Sequence, residues 1–81
     1  MKKFNATVKV KLKPTIKDIK ALTLEKAVNN LLDVQNLKCR VGNIYSLEFD
    51  AENDKQAEKI VQTISEEILS NSVIEEYEII W

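Results

Sequence analysis

Residues 4–13 alternate strictly between apolar and polar side chains, from Phe4 to the last apolar position at Leu12. Because successive side chains of a β-strand point to opposite faces, this pattern predicts a strand with one buried and one solvated face. Pro14 has no amide hydrogen to donate to a neighbouring strand, so we expect the strand to end there.

A helical period follows. Apolar residues three and four positions apart form one stripe, which consists of Leu24, Ala27, Val28, Leu31 and Leu32. This spacing is typical of an amphipathic helix. Asp18 or Thr23 is expected to cap its start. We expect the helix to end near Asp33, because Gln35-Asn36 is typical of a turn.

Two short alternating segments lie on either side of the only glycine, Gly42. Their apolar positions are Leu37, Cys39 and Val41 before it and Tyr45, Leu47 and Phe49 after it. This pattern predicts two strands joined by a two-residue hairpin turn at Gly42-Asn43, since glycine tolerates the positive φ that such turns need. One long strand kinked at Gly42 is the alternative, because the odd-numbered residues stay in phase across the glycine.

A second helix is the clearest predicted element. Asn53 followed by Gln56 resembles a capping box, and Asp54 lies in the first turn, where the helix dipole favours an anion. The apolar stripe consists of Ala57, Ile60, Val61, Ile64 and Ile68. We expect the helix to end at residues 70–72, and the apolar residues between 73 and 81 predict a last strand.

The predicted order is therefore strand, helix, strand, strand, helix, strand. The economical packing of these elements is an α+β fold, the ferredoxin-like βαββαβ arrangement, with two helices on one face of an antiparallel four-stranded sheet. Ile44, Ile74 and Ile80 fall out of phase with the main apolar positions of their strands. Some of them are expected on the open face of the sheet, as a partner surface or as scattered surface residues.

The 81 residues predict a single domain, 1–81, with a small core. Small domains are commonly reinforced by disulfides, metals or oligomerisation. With one cysteine and no histidine, the chain can form neither an internal disulfide nor a structural zinc site, so we expect an oligomer. The absence of a disulfide framework and of a secretory signal predicts a cytoplasmic location.

Charge is distributed unevenly along the chain. Residues 1–40 carry ten Lys/Arg and three Asp/Glu, whereas residues 41–81 carry two and ten. One interpretation is a basic face that binds nucleic acid or phosphates. The other, which we favour, is that the first and last strands lie side by side and pair their charges across the sheet.

The missing residue types exclude several kinds of catalysis. Without histidine there is no Ser-His-Asp or Cys-His pair, and Cys39 is expected to be a small buried hydrophobe. One glycine is too few for a phosphate-binding loop or a dinucleotide fingerprint. We therefore expect no catalytic residue, no cofactor site and no metal site, and a solvated strand edge at Glu75, Glu76 and Glu78.

The last third of the chain resembles the ending of the PurS family, the small subunit of phosphoribosylformylglycinamidine (FGAM) synthase. Residues 68–79, ILSNSVIEEYEI, are similar to the family's Leu-Leu-x-Asn-Pro-Val-Ile-Glu-x-Tyr-x-Ile. Arg40-Val41-Gly42 is similar to its Arg-x-Gly-Lys, and residues 8–13, followed by Ile16 and Asp18, match its opening in pattern. Ser72 and Asn43 depart from the family's proline and lysine.

The resemblance implies a non-catalytic subunit in de novo purine biosynthesis. It implies that the chain forms dimers or tetramers and bridges a glutaminase subunit, PurQ, and an ATP-dependent synthetase subunit, PurL, so that glutamine-derived ammonia is transferred. The complex would use ATP and Mg, with none bound by this chain. The positions that match the family's motifs are the expected partner contacts: Arg40, Gly42, Asn71, Ile74, Glu75 and Tyr77.

Among these six residues, Arg40 and Glu75 are the preferred candidates for assembly, because the local fold does not obviously need their charges. For Gly42 and Tyr77 we favour structural roles in a turn and in packing. An alternative function is an ACT-like module, which has the same order of elements and binds a metabolite at a dimer interface. A nucleic-acid binder is a third hypothesis, and it depends on the basic first half.

Overall fold

The computed structural model describes residues 1–81 and contains three strands and two helices. In chain order they are β1 (Lys2–Leu12), α1 (Ile19–Leu31), β2 (Gly42–Ala51), α2 (Asp54–Ile64) and β3 (Glu75–Ile80). A π-helical segment, Ser65–Leu69, continues α2 directly. The predicted α+β class, the antiparallel sheet and the two helices are confirmed, whereas the sheet has three strands and not four.

β1 is the central strand of the sheet, whose order is β2-β1-β3 with antiparallel neighbours. Val8 of β1 lies opposite Tyr45 on one side and Ile79 on the other. The even-numbered residues of β1 therefore share a face with the odd-numbered residues of β2 and β3. This face carries the core, and the opposite face is polar along β1, as the alternation predicted.

The core is small and lies between this face of the sheet and α2. Its fully enclosed part consists of Ala6, Val8, Val10 and Val61. Larger, partly buried side chains pack around it: Tyr45, Leu47, Phe49, Leu69, Tyr77 and Ile79. Only nine of the 81 residues are buried, so apolar burial within one chain offsets the entropy of folding only to a limited extent.

The first helix, α1, contributes little to this core. Ala21 is its only buried residue, and the side chains of Leu24 and Leu31 are 50% and 84% exposed. The molecule is correspondingly elongated, with principal extents of 53 × 25 × 15 Å. The apolar stripe predicted for this helix exists in the sequence but is largely uncovered within the chain.

The predicted strand over residues 37–41 is not formed, and the predicted hairpin at Gly42-Asn43 is wrong. Two side-chain carboxylates accept the amide hydrogens that a neighbouring strand would have accepted. The Cys39 N–H donates to Oε1 of Glu25 at 2.7 Å, and the Val41 N–H donates to Oδ2 of Asp18 at 2.9 Å. Periodicity nevertheless predicted the burial correctly, since residues 37, 39 and 41 are partly buried and residues 38 and 40 exposed.

Gly42 begins β2 opposite Lys11, and its φ is not positive. A Cβ atom at this position would lie 2.6 Å from the carbonyl oxygen of Val10 and 3.1 Å from Cβ of Lys11. The close approach of β1, and not a hairpin turn, is therefore what favours glycine here. The residue with positive φ is Asn36 (58°), within the turn predicted at Gln35-Asn36.

α2 begins as predicted but ends differently. The Asn53 side chain accepts a hydrogen bond from the Gln56 N–H at 2.9 Å, which caps the helix. At the other end Ile68 is 75% exposed, and Leu69 packs against the core in its place. The π-helical segment causes this change, because its wider turn shifts the residues beyond Ser65 relative to an α-helical period.

We predict that Gly42→Ala lowers the free energy of unfolding by about 1–3 kcal/mol, because the added methyl group meets backbone atoms that cannot move without disturbing the β1–β2 pairing. Urea denaturation at a fixed protein concentration measures the effect. Ser46→Ala, on the same face of the same strand, is the matched control and should cost much less. Equal losses in the two variants would contradict the prediction.

Candidate partner interface

Three chain segments meet at Lys13, just beyond the end of β1. The Lys13 N–H donates to the carbonyl of Ile74 at 2.9 Å, and its Nζ donates to the carbonyl of Ser72 at 2.8 Å. The Lys13 carbonyl accepts a hydrogen bond from the guanidinium of Arg40 at 2.8 Å. We call residues 12–16, 40–42 and 71–75 the Lys13 junction, and it brings together five of the six expected partner contacts.

Arg40 is exposed, but the two terminal nitrogens of its guanidinium donate to the backbone of the junction. It donates to the carbonyls of Leu12, Lys13 and Ile16 at 2.8–3.2 Å. These bonds order the loop that leads from β1 to α1, because a charged donor satisfies carbonyls that no helix or strand uses. The sequence-based argument that the local fold does not need this charge is therefore wrong.

Glu75 is also used locally. Its Oε1 accepts a hydrogen bond from the Asn71 N–H at 2.8 Å. The Asn71 carbonyl accepts the Glu75 N–H at 2.7 Å, and the Asn71 side chain accepts the Val73 N–H at 3.1 Å. These reciprocal bonds form the turn that leads into β3. Ile74 closes this turn directly before β3 and is exposed, so of the three out-of-phase isoleucines it is the one that lies outside the strands.

Tyr77 lies on the core face of β3, so its predicted packing role is confirmed. Its hydroxyl donates to Oε1 of Glu66 at 2.8 Å, which ties β3 to the π-helical segment. This hydrogen bond, followed by burial of the hydroxyl, raises the pKa of Tyr77 above the usual value for tyrosine. Tyr77 therefore packs on the core and lies outside the Lys13 junction.

Asp18 is the site residue that sequence reasoning missed beyond its role as a helix cap. The residue is only 5% exposed, and its carboxylate has two backbone partners. Oδ1 accepts the Ala21 N–H at 2.9 Å, and Oδ2 accepts the Val41 N–H at 2.9 Å. The two hydrogen bonds, that from Val41 having the larger effect, hold the pKa of Asp18 below its usual value. The signals in the sequence were the cap and the match of Asp18 to the family's opening pattern.

The open face of the sheet explains the uneven charge distribution. Lys9 lies opposite Glu78, and Lys11 lies opposite Glu76. Lys3 and Glu48 form an ion pair at 3.3 Å. The basic first strand thus faces the acidic later strands, as the favoured interpretation predicted. Ile44 and Ile80 lie among these charges and are 67% and 41% exposed.

Cys39 is partly buried and unpaired, and its N–H is bound to Glu25. No group of three or more His, Cys, Asp or Glu side chains lies close enough together to hold a metal ion. Neither helix has the length and apolar character that a membrane span requires.

The chain is a small α+β domain with a three-stranded antiparallel sheet. Just beyond the end of β1, the Lys13 junction forms a surface whose backbone is held in place by hydrogen bonds. A family model described as PurS, phosphoribosylformylglycinamidine (FGAM) synthase, matches residues 5–81. The phosphoribosylformylglycinamidine synthase subunit PurS of Thermotoga maritima is 33% identical over 76 residues, 94% of this chain and 93% of that protein. The chain belongs to the PurS family.

Solved structures give the same result. A chain in the structure of PurLQS from Thermotoga maritima is 32% identical to this chain, with a TM-score of 0.90 over 99% of this chain and 98% of that one. Thermus thermophilus PurS is 26% identical, with a TM-score of 0.80 over 99% and 98% of the two chains. The sequence resemblance is thus confirmed over nearly the whole length.

We predict that stability falls as the pH drops below about 4, partly through Asp18. The folded-state pKa of this carboxyl is lowered, so its contribution is present above the unfolded-state pKa and is lost as the pH falls through the folded-state pKa. Thermal unfolding of Asp18→Asn from pH 6 to pH 2 should show a weaker pH dependence than wild type. Asp33→Asn, at an exposed position without a hydrogen bond, should retain the wild-type dependence. Identical slopes for wild type and Asp18→Asn would contradict this assignment.

Proposed function

We propose that this chain is the PurS subunit of an FGAM synthase in purine biosynthesis and assembles with PurL and PurQ. The observation that carries the proposal is the near-complete overlap with a chain of the Thermotoga maritima PurLQS structure, supported by the family model that spans residues 5–81. A biosynthetic role of this kind also favours a cytoplasmic location, in agreement with the single cysteine.

In this proposal the chain supplies structure and no chemistry. The glutaminase releases ammonia from glutamine, and the synthetase uses ATP and Mg to activate its amide substrate. A thiol nucleophile paired with histidine is needed for the first step, and this chain has no histidine. The role left to it is to hold the other two subunits together, so that ammonia passes between them.

The Lys13 junction is the proposed partner surface. Arg40, Gly42, Asn71, Ile74 and Glu75 gather there, whereas Tyr77 packs on the core face of β3. Its backbone is held by side-chain hydrogen bonds, which gives a partner an ordered surface to bind and lowers the entropy lost on association. Ile74, 37% exposed at the end of the turn before β3, offers an apolar contact among these polar groups.

Self-association is part of the same proposal. The uncovered leucines of α1 and the isoleucines of the open sheet face leave apolar surface that a second copy would bury, and a core of this size benefits from such burial. Sedimentation velocity should show a species heavier than the 9.3 kDa monomer. A single monomeric species at micromolar concentration would contradict this part.

We expect synthesis from glutamine by a matching PurL and PurQ to require this chain, because only the glutamine reaction needs the two subunits to be coupled. Product formation is measured with glutamine and, separately, with ammonia as the nitrogen source. The ammonia reaction serves as the control and should proceed without the chain. Equal glutamine-dependent rates with and without the chain would overturn the proposed function.

A further inference from the structure

Polar contacts, more than core packing, attach α1 to the rest of the chain. Ala21 is its only buried residue, and the leucines of its apolar stripe remain exposed. Because so little apolar surface of α1 is buried, the orientation of the helix relative to the sheet depends on its few directional polar contacts. For α1 these contacts are made with residues 39 and 41, in the segment that precedes β2.

The contacts are two carboxylates that accept alternate amide hydrogens of that segment. Glu25, inside α1, accepts the Cys39 N–H at 2.7 Å, and Asp18, at its N-cap, accepts the Val41 N–H at 2.9 Å. Because alternate amides of an extended segment point the same way, both bonds act on the same side of the chain. The two carboxylates thus do for residues 39–41 what a neighbouring strand would do.

Of the two carboxylates, only Asp18 binds a residue of the Lys13 junction, Val41. Its Oδ1 is held by the Ala21 N–H, so Oδ2 is aimed at Val41 from a fixed point. Val41 lies between Arg40, whose guanidinium binds the loop after β1, and Gly42, which begins β2. The hydrogen bond from the Val41 N–H to Asp18 therefore fixes the backbone between Arg40 and Gly42, and with it the positions of these two residues in the Lys13 junction.

We propose that Asp18 is a positioning residue for the partner surface: through the Val41 N–H it sets the placement of Arg40 and Gly42 and couples the direction of α1 to the Lys13 junction. This inference rests on the proposed function, since the surface it orders is the one assigned to partner binding. Asp18 itself is buried and touches no partner in this account.

Two substitutions separate this role from simple helix capping. Asp18→Asn keeps a side-chain oxygen for the Ala21 N–H, and asparagine is as good a cap as aspartate. Asparagine, however, has an NH2 group in place of Oδ2. This group is a donor, as the Val41 N–H is, so the hydrogen bond to Val41 is lost. Asp18→Ala removes both hydrogen bonds. Asp33→Asn, exposed and without a partner, is the control for the loss of one charge near α1.

The experiment titrates each variant into PurL and PurQ and measures glutamine-dependent synthesis. Losing a hydrogen bond to a charged acceptor corresponds to roughly a tenfold change or more in an equilibrium. We therefore expect Asp18→Asn and Asp18→Ala to raise the concentration for half-maximal stimulation about tenfold, with Asp33→Asn unchanged and ammonia-dependent synthesis unaffected. The amide resonance of Val41 should shift in Asp18→Asn, while resonances of β1 stay in place.

Each outcome decides the question. If Asp18→Asn matches wild type and only Asp18→Ala is impaired, Asp18 is merely a cap and the inference is overturned. If Asp18→Asn loses the resonances of β1 as well, the residue is needed for folding in general, and the inference is overturned too. If the wild-type chain gives no stimulation, the proposed function fails, and the Val41 resonance still tests the geometry.

Discussion

The pairing of β1 with a strand on each side is the constraint on which the rest of the structure depends. β1 is the only strand with two neighbours, and its even-numbered residues form the wall on which α2 packs. Covering a single face of three strands with one well-packed helix buries few residues. The small core, the uncovered leucines of α1 and the expectation of partners all follow from this arrangement.

Outside the sheet, side chains order the backbone where regular structure does not. Asp18 and Glu25 accept amide hydrogens from residues 39–41, and Arg40 donates to the carbonyls of Leu12, at the end of β1, and of Lys13 and Ile16 in the loop that follows. Such bonds satisfy backbone groups that would otherwise be exposed to water or left unpaired. They also give the proposed partner surface a defined shape without a large core beneath it, which suits the proposed role in assembly.

The residues that resemble the PurS motifs have a local explanation as well as a proposed partner role. Gly42 avoids a clash with β1, and Asn71 and Glu75 form the turn before β3. The two explanations are compatible, because a surface recognised by partners must first be ordered. Charge reversal at Arg40 or Glu75 would therefore disturb the fold and the assembly together. Asp18→Asn, which keeps the helix cap, distinguishes an effect on assembly from an effect on the fold more clearly.

The sequence by itself determined the α+β class, the start of α2, the solvated face of β1 and the family, because these depend on side-chain periodicity, capping residues and a near-continuous motif. For the start of α1 it left two caps open, Asp18 and Thr23, and the structure decided for Asp18. Tertiary structure alone decided what residues 37–41 bind: alternation reports which side chains turn inward, whereas the partner of a backbone amide depends on what lies beside it in space. The exposure of Ile68 was also decided by the tertiary structure. It results from the π-helical turn at Ser65–Leu69, which no residue in that segment predicts. The roles of Arg40 and Asp18 were likewise hidden, since their hydrogen bonds join residues 23 to 28 positions apart in the chain.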